Sequence, residues 1–178
     1  MKLVILDRDG VINEDSHWYI KSRDELRPVP GSLPAIATLC RAGYRVLVAT
    51  NQSGVGRGLL DARALDDIHD FINASLVPLG GRIEAFFACV HVPEDDCDCR
   101  KPRPGLLHRI AAHTGLPLAG VPVVGDRARD LDAAIAVGAR PILVRTGAGR
   151  QTEREFAGSA PETYDDLAAF VDALLAQS

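Results

Sequence analysis

Residue types suited to chemistry at phosphorus follow four successive apolar runs of this 178-residue sequence. They are Asp7 with Asp9, Thr50, Lys101, and Asp126 with Asp130. Taken singly, each could be an ordinary turn residue or helix cap. If the runs are parallel strands of one sheet, their carboxyl ends bring acids, a hydroxyl and an ammonium to one edge, where ligands bind in such folds. That combination favours phosphoryl transfer.

The chemistry assigns roles to these residue types. A carboxylate can attack phosphorus and form an aspartyl-phosphate, and a second acid two residues later can protonate the leaving oxygen. Several carboxylates that face a phosphate repel it, so a divalent cation is required, and their hard oxygen atoms favour Mg²⁺. The Lys101 ammonium and the Thr50 hydroxyl would hold the phosphoryl oxygens, where charge concentrates in the transition state.

Three cysteines and a histidine lie within eleven residues, as Cys89, His91, Cys97 and Cys99. Two close pairs of this kind match a four-coordinate structural zinc site, which has no open position for catalysis. The same residues could instead be three reduced thiols beside a surface histidine, or a Cys89–Cys97 disulfide. Because Cys99 directly precedes two basic residues, zinc bound at residues 89–99 would fix the direction of those cations.

The apolar runs alternate with segments of helical period, which predicts a three-layer α/β fold with a mostly parallel sheet between helices. Strands are expected at Leu3–Leu6, Arg45–Ala49, Ile83–Cys89, Pro122–Val124 and Pro141–Val144. Helical stripes are expected at Leu33–Cys40 before Gly43, Leu65–Leu76 after Asp61 as N-cap, Leu107–Ile110, Leu131–Ile135 and Leu167–Leu175. Cys40 is expected in the core, and the polar segment Gly147–Pro161 on the surface as a loop.

The composition is that of an ordinary globular protein, 47% hydrophobic and 25% charged, which fits one domain over residues 1–178. A net charge of −4 argues against general binding to nucleic acid or to anionic membranes. No run approaches the roughly 18 apolar residues of a membrane helix, and the first run reaches Asp7 too soon for a signal peptide. We therefore expect a cytoplasmic protein, where close cysteines more often bind metal than form disulfides, and by default a monomer.

The four polar clusters resemble, in order and placement, the four motifs of the haloacid dehalogenase (HAD) superfamily. The resemblance implies that Asp7 is the nucleophile and Asp9 the general acid and base. It also implies that Thr50 and Lys101 stabilise the phosphoryl group. Because dehalogenases lack the second acid, the presence of Asp9 implies a phosphatase.

For the catalytic metal, the resemblance implies that Asp7, the main-chain carbonyl of Asp9, and Asp126 bind Mg²⁺. Asp130 matches the second acid of the last motif, whose role varies within the superfamily. Either Arg127 or Asp130 would lie near the metal.

Only residues 11–30 separate the first motif from the first helix, which is enough for a flap but not for the cap domain of many related phosphatases. We therefore expect an open site without a separate cap domain. The residues expected to contact the substrate are Asp15, Ser16, His17, Trp18, Asn51, Gln52, Ser53, Arg57 and Arg100. Alternatively, Trp18 and Tyr19 merely cover a hydrophobic edge.

The stretch from Cys89 to Pro102 resembles a zinc-containing subfamily that includes heptose bisphosphate phosphatases and histidinol-phosphate phosphatases. The segments Asn51–Gly58 and Val144–Gly147 look like those of the heptose enzymes, in which the residue at Arg100 recognises substrate. This implies hydrolysis of the C7 phosphate of D-glycero-D-manno-heptose 1,7-bisphosphate, for lipopolysaccharide core or nucleotide-activated heptose, with the anomer left open. Histidinol phosphate is the alternative substrate, although it carries an amine instead of a second phosphate for arginines such as Arg57 to pair with.

Other functional classes fit less well. A receiver domain of a response regulator also has a phosphorylatable aspartate and Mg²⁺, but its acidic pair ends strand one and its acceptor ends strand three. A zinc-binding adaptor would leave the acids, Thr50 and Lys101 unused. A nucleic-acid 3′-phosphatase has similar motifs, but the net charge of −4 and the lack of an aromatic-basic stripe argue against it.

Overall fold

A parallel sheet of six strands forms the centre of the fold. The computed structural model describes residues 2–156 and 161–177. The strands are β1 (Lys2–Leu6), β2 (Tyr44–Asn51), β3 (Ala85–Cys89), β4 (Pro122–Gly125), β5 (Arg140–Val144) and β6 (Glu162–Tyr164). Their order in the sheet is β3-β2-β1-β4-β5-β6, and every neighbouring pair is parallel. Because the order reverses between β1 and β4, the carboxyl ends of these two strands border the crevice that binds ligands in doubly wound folds.

Helices cover both faces of the sheet. They are α1 (Ser32–Arg41), α2 (Ser53–Gly56), α3 (Ala62–Leu76), α4 (Gly105–Thr114), α5 (Ala128–Ala136), α6 (Gly149–Glu155) and α7 (Leu167–Ala176). Successive residues of β1 point to opposite faces, so Val4 and Leu6 pack with α1, α3 and α7, whereas Leu3 and Ile5 pack with α4 and α5. This three-layer α/β architecture, with no separate cap domain in residues 2–156 and 161–177, confirms the predicted fold class. Within the described ranges, no helix has the length and apolar character needed to cross a membrane.

Three elements lie where the sequence pattern predicts none: the four-residue helix α2, the helix α6 and the strand β6. The segment expected to be a surface loop, Gly147–Pro161, contains α6, which buries only Gly149 and Thr152 and so has no apolar stripe for periodicity to detect. Residues 157–160 of that segment lie outside the described residues. Strand β6 has three residues and sits at the edge of the sheet, so it too has no buried apolar run.

Helix α5 buries a different face from the predicted one. Leu131 is buried, but Ile135 is 61% exposed, and Ala133 and Ala134 are buried in its place. Their small side chains let the helix lie close to the sheet, which turns Ile135 towards solvent. Cys40 packs at the margin of the core, where its thiol donates to a backbone carbonyl.

Predicted helix boundaries are confirmed where capping chemistry is specific. The Asp61 side chain accepts a hydrogen bond from Ala64 N at the start of α3. Gly43 follows α1 with φ of 81°, a conformation that glycine adopts without strain. Strand β3 begins at Ala85 rather than at Ile83, because both backbone groups of Ile83 are bonded to the Asn73 amide.

The flap over residues 11–30 is closed at its base. Glu14 N donates to Arg27 O at 2.8 Å, and Val29 N donates to Ile12 O at 2.9 Å. These bonds tie the two arms of the flap together beside the carboxyl end of β1. The flap thereby forms one wall of the cavity described below.

Candidate active site

Asp7, at the carboxyl end of β1, forms a buried ion pair with Lys101. The Lys101 Nζ atom lies 3.0 Å from Asp7 Oδ1 and 2.7 Å from Asp130 Oδ1. It also donates to the carbonyl oxygen of Ala49 at 2.7 Å. The structure therefore brings together three of the predicted site residues, which come from separate loops of the chain.

Asp7, Asp126 and Asp130 form a cluster of buried carboxylates whose oxygens lie within 4.8 Å of one another. Burial raises the pKa of Asp7 to about 6 and the pKa of Asp126 to about 8, and the neighbouring carboxylates reinforce both shifts. Asp126 Oδ1 is buried and has no hydrogen-bond partner among the described residues. Hard oxygen donors at this density, with one of them unpaired, fit a divalent cation such as Mg²⁺.

Two glycines make room for the Asp126 carboxylate. A Cβ atom on Gly10 would lie 2.2 Å from Asp126 Oδ2, and one on Gly147 would lie 2.3 Å from the same oxygen. Both glycines have positive φ, which other residues adopt at a cost. Ala148 N donates to Asp126 Oδ2 at 2.8 Å, so the backbone fixes this oxygen while Oδ1 is left for another ligand.

The Asp9 carboxylate is held by three side chains. Arg8 donates to it through Nε and Nη2, Asn13 Nδ2 donates to Oδ1 at 2.9 Å, and Gln52 Nε2 donates to Oδ2 at 2.7 Å. Burial alone would raise the pKa of Asp9, but the Arg8 charge and these hydrogen bonds hold it below its usual value. Gln52 also donates to Thr50 Oγ1 at 2.9 Å, so this predicted substrate contact links two predicted catalytic residues.

Asn51 holds the backbone of Lys101. Its Nδ2 atom donates to Lys101 O at 3.1 Å, and its Oδ1 accepts from Lys101 N at 3.1 Å. Asn51 is predicted from the sequence as a substrate contact and it does line the cavity, but its amide is engaged by the protein. Its position therefore indicates that it orients Lys101.

Asn51→Ala is expected to lower kcat by about five- to thirtyfold with little change in KM. The variant loses two hydrogen bonds to the Lys101 backbone, each worth about 1 kcal/mol, that help to orient the Lys101 ammonium towards Asp7. The matched control is Asn73→Ala, because Asn73 forms the same pair of bonds with the backbone of Ile83. The control should lose similar thermal stability without losing kcat. A raised KM with unchanged kcat would instead make Asn51 a substrate contact.

A cavity of about 250 Å³ opens over Asp7 and Asp9. Every predicted substrate contact except Trp18 lines it: Asp15, Ser16, His17, Asn51, Gln52, Ser53, Arg57 and Arg100. Trp18 is 82% exposed and borders a separate depression, so it neither lines this cavity nor covers a hydrophobic edge. Tyr19 and Ile20 line the cavity instead.

Two arginines of the last motif also line the cavity, Arg127 and Arg129. Arg127 Nη2 lies 2.6 Å from Asp15 Oδ2, so its guanidinium is paired with the flap. Its backbone N also donates to Asp130 Oδ2 at 3.1 Å, and its charge opposes the rise in the pKa of Asp126, so Arg127 lies beside the carboxylate cluster. Its place near a metal stays a prediction. Both arginines lie within three residues of Asp126 in the sequence, and this position could have identified them as site residues. The sequence pattern alone assigns no role to Arg129.

The cysteine and histidine cluster has the geometry of a four-coordinate metal site. The three Sγ atoms lie 3.1–3.6 Å apart, and His91 Nδ1 lies 3.3 Å from Cys99 Sγ and 3.7 Å from Cys89 Sγ. Ligands about 2.0–2.3 Å from one tetrahedral ion have spacings of this size, whereas a disulfide requires about 2.05 Å. All three thiols are free, which rules out the Cys89–Cys97 disulfide.

The loop that carries the cluster is tied to the segment that follows it. Arg103 Nη1 donates to Asp96 O at 2.7 Å and to Cys97 O at 2.8 Å. The residue between the cluster and Lys101, Arg100, donates to the carbonyl of His91 at 3.3 Å. The cluster and Lys101 therefore belong to one hydrogen-bonded unit.

Comparisons with known proteins agree with this site. Residues 98–170 match the HAD-hydrolase-like family model. A D-glycero-beta-D-manno-heptose-1,7-bisphosphate 7-phosphatase from Bordetella bronchiseptica is 50% identical over 181 residues, covering all of both chains. The chain belongs to the D-glycero-beta-D-manno-heptose-1,7-bisphosphate 7-phosphatase family. The resemblance to HAD phosphatases predicted from the motifs is thereby confirmed.

One further relative and one solved structure match along almost the whole chain. The Pseudomonas putida enzyme is 50% identical over 178 residues, covering 98% of this chain and all of the relative. A crystal structure of the Bordetella bronchiseptica D,D-heptose 1,7-bisphosphate phosphatase, complexed with magnesium and phosphate, superposes with a TM-score of 0.97 at 49% identity and full coverage of both chains. The fold is therefore that of the family.

Proposed function

We propose that this chain removes the C7 phosphate of D-glycero-β-D-manno-heptose 1,7-bisphosphate through an aspartyl-phosphate on Asp7. The observation that carries the reaction type is the contact of Asp7 with Lys101 beneath an open, arginine-lined cavity. The substrate and its β anomer are proposed from the names of the relatives that match the whole chain. Those names favour heptose bisphosphate over histidinol phosphate.

In the first step, a carboxylate oxygen of Asp7 attacks phosphorus, and the bond between phosphorus and the C7 oxygen breaks. The leaving oxygen takes a proton from Asp9, which lies in the cavity wall. Because its pKa is lowered, Asp9 is ionised in the free protein. It therefore takes the proton that it donates from solvent as the substrate binds. Lys101 offsets the negative charge that Asp7 and the phosphoryl group share, and Thr50 is placed to donate to a phosphoryl oxygen.

In the second step, a water molecule attacks the phosphorus of the aspartyl-phosphate. Asp9 accepts a proton from this water, and the bond between phosphorus and the Asp7 oxygen breaks. Inorganic phosphate leaves, and Asp7 regains its carboxylate. Asp9 thus acts as acid and then as base, as the motif resemblance implies.

Asp7, Asp126 and the Asp9 carbonyl are proposed to hold Mg²⁺, as the relative with bound magnesium and phosphate supports. When bound, Mg²⁺ would neutralise the charge between the carboxylates and the phosphate. Asp130 has a different contact, since its Oδ1 pairs with Lys101 and its Oδ2 accepts from Arg127 N at 3.1 Å. We therefore assign Asp130 to the orientation of Lys101.

The affinity for Mg²⁺ is expected to fall as the pH is lowered from about 8 to about 6. The raised pKa values of Asp126, about 8, and Asp7, about 6, mean that these ligands gain protons over this range and compete with the metal. The dissociation constant should rise by up to about tenfold per pH unit for each proton displaced. Titration calorimetry in buffers of different ionisation enthalpy should detect proton release, and a pH-independent affinity would contradict the proposed ligands.

A structural Zn²⁺ is proposed for Cys89, His91, Cys97 and Cys99, supported by the spacing of their ligand atoms. Four protein ligands leave no position for substrate, so the ion would stabilise the loop that precedes Lys101. Reduced thiols fit the predicted cytoplasmic location. The predicted monomeric state stays a prediction.

The arginines around the cavity are proposed to receive the second phosphate of the substrate. Arg57 and Arg100, predicted from the sequence, and Arg127 and Arg129 all line the cavity. Charge-assisted hydrogen bonds to phosphate contribute about 1.5–3 kcal/mol each, which is roughly ten- to hundredfold in kcat/KM.

The substrate assignment is tested by phosphate release from both heptose bisphosphate anomers and from histidinol phosphate, measured side by side. We expect the β anomer to have the highest kcat/KM, and histidinol phosphate, which lacks a second phosphate, to be at least about tenfold poorer. A preference for histidinol phosphate would overturn the substrate while leaving the reaction type intact. If none of the three compounds released phosphate in the presence of Mg²⁺, the proposed function would be contradicted.

A further inference from the structure

Arg8 is a fully buried arginine between the two aspartates of the first motif. Its residue has 0% exposure, although arginine is almost never fully buried unless paired. Its backbone N donates to Asp7 Oδ1 at 2.8 Å. Its guanidinium donates to Asp9, from Nε to Oδ1 at 3.2 Å and from Nη2 to Oδ1 at 2.9 Å and to Oδ2 at 3.2 Å. One residue therefore contacts both carboxylates, through different groups.

Among the described residues, Asp9 is the one charged partner of the Arg8 guanidinium. In the same part of the chain, Arg8 Nη1 is buried with no hydrogen-bond partner. The nearby imidazole of His69 stacks on Phe86 with ring centroids 4.2 Å apart. Burial and the Arg8 charge lower the pKa of His69 to about 3, so this ring is neutral. A buried ion pair that leaves one guanidinium nitrogen unpaired contributes little to the stability of the fold. The arrangement therefore favours a role for Arg8 in orienting the Asp9 carboxylate.

The guanidinium acts on Asp9 from the interior side of the site. The Asp9 side chain is 21% exposed and lines the cavity, whereas the Arg8 side chain is 1% exposed and does not line it. A planar guanidinium that bonds to both carboxylate oxygens fixes the plane of the carboxylate, which a lysine ammonium cannot do. Asn13 and Gln52 each bond to one oxygen only and leave this plane less constrained.

We propose that Arg8 is a positioning residue that holds the Asp9 carboxylate in the orientation required for proton transfer to the leaving oxygen and from the attacking water. This inference rests on the proposed function, in which Asp9 is the general acid and base. The Arg8 side chain does not line the cavity, and its role is exercised through Asp9.

The test compares Arg8→Lys, which keeps the charge but loses the planar fork, with Arg8→Met, which keeps only the apolar stem. On heptose bisphosphate, whose leaving alkoxide needs a proton, kcat should fall on the order of ten- to hundredfold. On p-nitrophenyl phosphate, whose leaving phenolate needs none, the initial burst of nitrophenol should keep its amplitude and rate within about threefold. The later steady state should be slow, because hydrolysis of the aspartyl-phosphate still requires Asp9 as a base.

A double-mutant cycle separates action through Asp9 from a merely structural effect. Arg8→Lys combined with Asp9→Asn should be no slower than Asp9→Asn alone, because the residue through which Arg8 acts has already been lost. The matched control is Arg140→Lys. Arg140 forms a similar two-bond pair with Glu162 at the amino end of β5, at the opposite edge of the sheet from the site, so its kinetics should be unchanged.

Three results would overturn the role of Arg8. The first is that the effects of Arg8→Lys and Asp9→Asn on kcat are additive. The second is that the Arg8 variants lose the nitrophenol burst and bisphosphate turnover to the same extent. The third is that neither Arg8 variant shows a cooperative thermal transition. Failure of the proposed function would look different. In that case Asp9→Asn itself would keep near wild-type turnover of heptose bisphosphate.

Discussion

Asp7→Asn is expected to lower kcat by at least about 10⁴-fold while the protein stays folded. The amide cannot act as the nucleophile that accepts the phosphoryl group, and loss of a nucleophile in other hydrolases costs this much or more. The fold should tolerate the change. The folded-state pKa of about 6 lies above the ordinary value of 3.8, so ionised Asp7 disfavours the folded state above pH 6 when no metal is bound. Lys101 retains Asp130 as a partner.

The measurement is steady-state phosphate release together with the thermal transition at pH 8 without Mg²⁺. Wild-type Tm or a small increase is expected alongside the lost turnover. Asp132→Asn is the matched control, because Asp132 is exposed on α5, and it should keep both kcat and Tm. Turnover near wild type in Asp7→Asn would remove the covalent intermediate from the proposed function.

Cys97→Ser is expected to abolish zinc binding, to destabilise the fold and to lower kcat by about tenfold or more. A structural zinc site contributes folding free energy directly, and losing one ligand should cost at least roughly 3 kcal/mol, or about 6–12 °C in Tm. The kinetic loss follows because Cys99, Arg100 and Lys101 are consecutive and the loop is bonded to Arg103 through Asp96 and Cys97 carbonyls. The Mg²⁺ dependence should be kept, since the carboxylate cluster lies on other loops.

Metal content by mass spectrometry, Tm and kcat should be measured on the same preparation. Cys40→Ser is the control, because Cys40 lies outside the cluster and bonds to the backbone of Arg82. It should retain one zinc per chain and full kcat. A Cys97→Ser protein without zinc but with wild-type kcat would show that the loop does not position Lys101.

The parts of the fold that bury apolar side chains could be predicted from the sequence. Strands β1, β2, β4 and β5 lie within two residues of their predicted bounds because each is a run of buried aliphatic residues. Helix α6 could not be predicted, because it buries only a glycine and a threonine. The buried face of α5 was mispredicted because packing of Ala133 and Ala134 against the sheet outweighs burial of the larger Ile135.

The convergence of the candidate catalytic residues could also be predicted, since parallel strands place their carboxyl ends at one edge. The contacts between side chains could not be predicted from periodicity or from motif spacing. The bonds of Asn51 to Lys101 and of Gln52 to Asp9 show that two predicted substrate contacts also hold other residues of the site, while their contact with substrate stays a prediction. The exposure of Trp18 likewise depends on the conformation of the flap, which has little apolar pattern to predict it.

The most direct test of the central claim is to trap the phosphorylated aspartate during turnover. Borohydride reduces an aspartyl-phosphate to homoserine, and peptide mapping by mass spectrometry then locates the modified position. With heptose bisphosphate and Mg²⁺ present, we expect homoserine at position 7 and at no other aspartate, and none when substrate is omitted. Active turnover with an unmodified Asp7, or with the modification at Asp9 or Asp126, would contradict the account.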